Sequence, residues 1–400
     1  MQQKLNSTKK RIESVDILRG IVMVIMALDH TRDFFHVTAN ISDPLTIPSV
    51  SPILFFTRWI THFCAPAFVF LSGVSIYLQS FRKSKKELSS FLIKRGLWLV
   101  IAEVILLSFI FTFNPLYNFI FLEVIWAIGI SMIILGLLIY LPFKSILTLG
   151  LLIVLGHNLL DIPEASADFK PGFWYNVLHS TRGGALSFAP NHLLIVLYPF
   201  LPWTGLMILG YCTGTFFSST YSTVQRKKIL IRIGVLAILF FVLIRWINVY
   251  GNPLPWKNQN DGLDTFFSFI NLQKYPPSLL FMCVTIGPGL IVLAYLENIQ
   301  NRFTNFVRVY GRVPFFYFMI HFFLIHLLAM MVFFIKGHNM DDTLKAAQQI
   351  PFLFIVPGEG FSLPVVYLIW LLVVAIMYPL CKWYDQYKTN HKEKWWLSYL

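Results

Sequence analysis

Runs of apolar residues, most of them near 20 long, follow one another along the chain with short polar breaks between them. A run of ~20 residues spans the ~30 Å hydrocarbon core of a bilayer as a helix. Ten runs predict membrane-spanning helices at 15–36, 53–81, 91–113, 119–141, 145–157, 192–217, 229–248, 277–297, 313–336 and 363–381. The expected fold class is an all-α polytopic membrane protein with about ten transmembrane helices. The fifth run is short for a full crossing, so it is expected to be re-entrant or to extend into the loop that follows. The second is long, which predicts a helix that tilts or projects from the bilayer.

Charge gives the orientation. Basic clusters fall between the runs: KKR at 9–11, RKSKK at 82–86, RKK at 226–228, Arg302 with Arg308 and Arg312, and a Lys-containing tail. Ten spans put all of them on one side together with both termini, and the positive-inside rule makes that side cytoplasmic. The expected organisation is a cytoplasmic segment 1–14, one transmembrane domain over 15–381 and a cytoplasmic tail 382–400. The opposite connections, 37–52, 158–191, 249–276 and 337–362, are longer and rich in Pro, Gly, Asn and aromatics. Loops of that kind usually carry function.

Composition sharpens the class. The chain is 56% hydrophobic and 13% charged, with a mean hydropathy of +0.66. Its formal charge of +13 would suggest nucleic acid only if the cations shared one soluble face, and they are dispersed among the spans. Nucleic acid is therefore excluded as a partner. Cys64, Cys212, Cys283 and Cys381 sit in or beside apolar runs without metal-like spacing, so they read as small buried hydrophobes. Arg19 and Asp16 interrupt the start of the first run and no small-x-small site precedes Asp29, so a retained helix is expected rather than a cleaved leader. No GxSxG, HExxH, GxxxxGK[ST] or GxGxxG motif in a suitable context occurs, and no metal site is expected.

Candidate chemistry starts in the first span, SVDILRGIVMVIMALDHTRDFFH. Spacings of three and four place Asp16, Arg19, Gly20, Met23, Ala27, His30 and Phe34 on one helix face. The rise from Asp16 to His30 is ~21 Å, so His30 is expected in the outer half of the membrane. Ionisable groups at such depth face a bundle interior or a wet cavity. The bland reading is that Asp16 is an interfacial cap and that Asp29, Arg32, Asp33 and His36 are the solvated outer end of the helix. The second span adds Arg58 and His62, four apart, which approach His30 if the first two spans pair antiparallel. They otherwise read as a snorkelling Arg with a bystander His. Pro66 then predicts a kink. In the ninth span His326 counts to the outer half and His321 nearer the middle, and a five-residue spacing is wrong for a metal pair on one face. Each also reads as a core histidine. Asn191 and His192 open the sixth span on the outer side, where His192 is a candidate for the same cavity.

The stretches RIESVDILRGIVMVIMALDH, RWITHFCAPAFVFLSG, LPWTGLMILGY, YPPSLLFMCVTIGPG, RVPFFYFMIHFFLIHLLA and WWLSYL carry a resemblance. The chain resembles bacterial membrane proteins grouped with the catalytic domain of heparan-α-glucosaminide N-acetyltransferase, within the wider transmembrane acyltransferase superfamily. The resemblance implies a bacterial inner-membrane enzyme that uses acetyl-CoA or another acyl-CoA. It is also similar to membrane O-acyltransferases in which an Arg, ten residues and a His occur in the first span, matching Arg19 and His30. This implies His30 as the catalytic group and Arg19, with Asp16 and Gly20, as part of the acyl-CoA site. Asp33 or Asp29 would fix the His30 tautomer, with Asp33 better placed at i+3. Arg58, His62, His192 and His326 would line an acceptor-side pocket for an extracytoplasmic glycan or glycolipid. A homo-oligomer is left open. Two other readings stand beside this one: a transporter or flippase that uses the polar stripe as a path, and a non-catalytic partner of an envelope assembly.

Overall fold

The computed structural model describes residues 12–46, 51–166, 168–180 and 185–398. The expected cytoplasmic segment therefore lies outside the described residues as far as residue 11, including KKR at 9–11. The first span is one helix, α1 (Glu13–Phe35). The second is broken into α2 (Pro52–Ile60) and α3 (Cys64–Gln79), joined by a 3₁₀ turn at Thr61–Phe63. Pro66 lies just beyond this turn and has no N–H to give the carbonyl four residues back, in keeping with the local change from α to 3₁₀ geometry.

The third span is α4 (Lys85–Ala102), a π turn at Glu103–Leu107 and α5 (Ser108–Thr112). The fourth run begins as a strand, β1 (Phe119–Leu122), and continues as α6 (Val124–Leu138). The fifth, α7 (Phe143–Gly156), lengthens through a 3₁₀ turn into α8 (Asp161–Glu164), reaching 22 residues. It thus extends into the following loop. After α9 (Phe173–Leu178) come β2 (Ala185–Ala189) and β3 (His192–Val196), so the sixth run also starts as a strand before α10 (Phe200–Thr213). β3 pairs in parallel with β1 and antiparallel with β2. The β-branched and aromatic residues of FIFL and HLLIV suit this small sheet better than helix.

The second half consists of α11 (Thr223–Ile247), α12 (Gly262–Ile270), α13 (Leu279–Leu296), α14 (Arg302–Arg312), α15 (Pro314–Ile335), α16 (Met340–Ala346) and α17 (Leu363–Asn390). Helix α17 continues past residue 381, the expected end of the last span, and Leu397 beyond it is buried. Eight described helices are long and apolar enough to cross a membrane. The two remaining runs are α1, whose charge sets it apart, and α6, which has only 15 residues. The all-α polytopic reading holds. Leu236, Leu239, Leu243, Trp246 and Ile247 of α11 are exposed, as the lipid-facing side of a membrane helix requires.

Helices in lipid gain little from hydrophobic burial against one another and rely on close backbone approach. Four crossings here are made at paired glycines. A Cβ on Gly20 of α1 would overlap the Val307 carbonyl of α14, and one on Gly311 of α14 would overlap the Asp16 carbonyl. The same holds where Gly73 of α3 meets Gly210 of α10. Gly96 with Gly129, and Gly234 with Gly287, join α4 to α6 and α11 to α13. These contacts fix the register of the bundle around α1.

Candidate active site

His30 of α1 and His321 of α15 meet with ring nitrogens 2.8 Å apart, His30 Nδ1 facing His321 Nε2. The other nitrogen of His321, Nδ1, lies 2.8 Å from the carbonyl of Tyr317, one turn earlier on the same helix. A carbonyl only accepts, so His321 Nδ1 carries a proton and, in the neutral ring, Nε2 offers a lone pair. His30 Nδ1–H donates to that lone pair, which leaves the His30 Nε2 lone pair for chemistry. His321 is fully buried, whereas His30 is only partly so. Phe322 packs on the His30 ring at 3.9 Å between centroids, and Phe318 meets it edge-on at 6.3 Å. These contacts restrict the ring to one orientation.

Beside His30, Asp29 collects cations from three elements. Its Oδ1 accepts from Arg32 Nη2 at 2.9 Å and its Oδ2 from Arg58 Nη1 of α2 at 2.5 Å, with Lys274 Nζ 4.0 Å from the same oxygen. Asp29 and Arg32 are 6% and 4% exposed, so they are not the wet end of a helix. Two of the three partners of Asp29, Arg58 and Lys274, come from other parts of the chain, which made its burial invisible to helix periodicity alone. Asp33 does differ: its side chain is 48% exposed and pairs with Arg32 at 2.6 Å. The expected role of Asp33 as tautomer partner of His30 is filled by His321 instead.

Arg58, His62 and Lys274 border a cavity of about 540 Å³ that also takes in Tyr275, Asn271 and Asp43. A second cavity, of about 450 Å³, lies on the other side. Arg19, Lys83, Arg95, Arg312 and Lys388 contribute five cations to it, and none of its lining residues is acidic. Its walls turn apolar along α3 from Gln79 to Phe68, eleven residues or ~16 Å of helix rise. The apolar part is walled by Val124 and Ile125 of α6 and by Phe318, the residue packed against His30. Glu103, wholly buried in its π turn, accepts from the N–H groups of Glu123 and Trp126 and so caps α6 at this wall.

At the basic end, Arg19 Nη2 donates to Ser75 Oγ at 2.7 Å, while Nη1 reaches the Gly311 carbonyl at 3.3 Å and Asp16 at 3.4 Å. Arg19 thus lines the cavity and Asp16 steadies it. Gly20 does neither: α14 fills the space over it, so the small-residue face expected to admit a ligand is a helix–helix contact. His326 lies apart from His30, with Nδ1 3.0 Å from the Ile110 carbonyl and Nε2 2.8 Å from that of Leu353. His192 stitches the sheet, reaching the Pro190 and Leu116 carbonyls at 2.7 and 3.1 Å. Neither lines the cavity bordered by Arg58, His62 and Lys274. The structure brings together His30, Asp29, Arg58 and His62 and adds His321, Lys274, Lys83 and Arg95, none of which had been assigned a site role. His321 carried a signal, being a histidine in an apolar span. Lys274, in a loop, carried none.

The paired histidines thus lie inside a polytopic bundle, with Phe318, packed on His30, walling one cation-lined cavity and Arg58, the partner of Asp29, lining another. Residues 11–245 match the sequence profile of the family described as heparan-alpha-glucosaminide N-acetyltransferase, catalytic, and the chain belongs to that family. It is accordingly a multi-pass membrane protein of an acetyltransferase family. No curated protein matches the chain. The matched span contains Arg19, His30 and Arg58 but ends before Lys274 and His321.

Proposed function

We propose that the protein transfers an acetyl or other short acyl group from a cytoplasmic acyl-CoA to a hydroxyl or amine of an extracytoplasmic glycan or glycolipid acceptor. The observation that carries this is the hydrogen-bond chain from the Tyr317 carbonyl through His321 to His30, which leaves the His30 Nε2 lone pair free next to Phe318 of one cavity and beside Asp29, the partner of Arg58 at the other. The basic cavity suits a donor whose phosphates need several cations and whose slim arm needs an apolar channel. The charge pattern of the sequence supports a mouth on the cytoplasmic side. The acceptor occupies the cavity bordered by Arg58, His62 and Lys274. Its O–H or N–H attacks the thioester carbonyl and His30 Nε2 takes the proton, so that a new C–O or C–N bond forms. The C–S bond then breaks, and the proton passes from His30 to the departing thiolate.

The decisive experiment measures acetyl-CoA binding and turnover by purified wild-type protein and by His30→Ala, both checked for monodisperse folding. The variant is expected to bind donor as the wild type does and to turn over none. Full turnover by the variant removes His30 from the reaction. Solute uptake into proteoliposomes without consumption of acyl donor selects the transporter reading instead.

A further inference from the structure

A second histidine cluster lies away from His30, where the fifth span ends. His157 and Asp161 are four residues apart and Glu164 three further on, so one short helical stretch presents all three. His179, at the end of α9, closes against them. Its Nε2 lies 3.3 Å from His157 Nδ1 and 3.7 Å from Asp161 Oδ1, and its Nδ1 lies 3.1 Å from Glu164 Oε1. Asp161, Glu164 and His179 bring ligand atoms within 4.8 Å of one another.

Proton accounting shows what converges. The Glu164 carboxylate only accepts, so His179 Nδ1 carries the proton and Nε2 presents a lone pair, which accepts from His157 Nδ1–H until an ion displaces that proton to His157 Nε2. Asp161 Oδ2 is occupied by Asn158 Nδ2 at 2.6 Å, which turns Oδ1 toward the same point. His157 is 3% exposed and its Nε2 has no hydrogen-bond partner among the described residues. This differs from His321, whose far nitrogen is pinned by a carbonyl and which therefore works as a relay. Nothing pins the far side of His157, so the ring is positioned by what its Nδ1 meets.

We propose that His157 Nδ1, His179 Nε2 and Asp161 Oδ1 form a site for a divalent cation of the Zn²⁺ type, with Glu164 behind His179 as orienting carboxylate. Tetrahedral ligation at ~2.0–2.1 Å sets ligand atoms ~3.3–3.4 Å apart, and His179 Nε2 stands 3.3 Å from His157 Nδ1 and 3.7 Å from Asp161 Oδ1. A carboxylate on the far nitrogen of a ligating histidine is the usual support for such a ligand. The side chains of Asp161 and Glu164 are 14% and 15% exposed, which gives an ion a route in past two buried imidazoles. The ion would clamp α8 to α9. Asn158 carries the effect onward, because its Oδ1 accepts from Leu279 N–H at the start of α13. That start follows Lys274 and Tyr275, which edge the outer cavity.

The test uses full-length protein in detergent, stripped with chelator and titrated with Zn²⁺ and Co²⁺. One equivalent of Zn²⁺ is expected to bind and to raise the thermal unfolding midpoint, and Co²⁺ is expected to give the intense visible absorption of a tetrahedral N,O site. Glu164→Gln is expected to weaken binding about 10–100-fold, and His179→Ala to abolish it. His30→Ala is expected to retain the full equivalent, which keeps the result independent of the acyl-transfer reading. Absence of stoichiometric binding by folded wild-type protein overturns the proposal. So does binding that survives His179→Ala but is lost in His338→Ala, because His338 with Glu359 and Asp342 is a second His–carboxylate group among the described residues.

Discussion

His30 Nδ1 and His321 Nε2 stand 2.8 Å apart across 291 residues of sequence. Each lies ten residues beyond a glycine of one crossing, Gly20 on α1 and Gly311 on α14, which leads through Val313 into α15. The crossing sets the register of the two helices, and the register sets the histidine pair. Close packing far from the chemistry therefore positions the proton acceptor, in keeping with the need to hold catalytic groups on rigid elements.

His321 is a positioning residue in this arrangement, since it acts on the reacting atoms only through His30. His321→Ala is expected to lower kcat about 10²–10⁴-fold while donor affinity stays within a few fold. His321→Gln keeps an amide oxygen that can accept from His30 Nδ1–H, so it is expected to recover part of the loss. Steady-state rates with a separate acetyl-CoA titration check both. Equal rates for the two variants would assign His321 to packing alone.

The basic cavity predicts a donor interaction that depends on charge. Lys83→Gln and Arg95→Gln are each expected to weaken acetyl-CoA binding about 10–100-fold, the worth of one charge-assisted contact. They are expected to leave kcat at saturation unchanged. Wild-type affinity should fall as salt is raised, and more gently in the variants. Calorimetric titration at two ionic strengths measures both effects.

Gly311 gives a test of register. A methyl on Gly311 meets the Asp16 backbone carbonyl, which cannot rotate away as a side chain could. Gly311→Ala is expected to cost about 1–3 kcal/mol through overpacking, read as a lower thermal midpoint in detergent. Separation of α14 from α1 also shifts His321 against His30, so activity in the folded variant should fall further than stability does.

Much of the fold was legible because membrane helices announce themselves by length and apolarity, and all ten runs contain a helix of the bundle. The strands at 119–122 and 192–196 were not, because short apolar runs read alike as helix or strand without their partners. Within the candidate site, His30 and Arg58 stood out as ionisable groups where an inert span has no use for them. Gly20 misled: a small-residue face looks the same whether a ligand or another helix fills it. His326 misled as well, since depth along a helix does not tell which neighbour a ring will face. Lys274 could not be read at all, because only folding brings its loop to Asp29.

Asp29 offers the sharpest stability prediction. One buried carboxylate faces Arg32, Arg58 and Lys274, so removing its charge leaves three cations without their common counter-ion. Loss of one partner from a buried pair costs about 3–5 kcal/mol, chiefly because the remaining charge is stranded. Asp29→Asn keeps the shape and is expected to destabilise by that amount. Asp33→Asn removes a charge from a half-exposed carboxylate four residues away and is expected to stay within about 1 kcal/mol. Thermal unfolding of the two variants side by side separates a buried charge hub from a wet helix end. Because Arg58 lines the outer cavity and leans on Asp29, Asp29→Asn should also raise the KM for acceptor while acetyl-CoA binding is kept. Equal stabilities for the two asparagine variants would return Asp29 to the solvated end of α1.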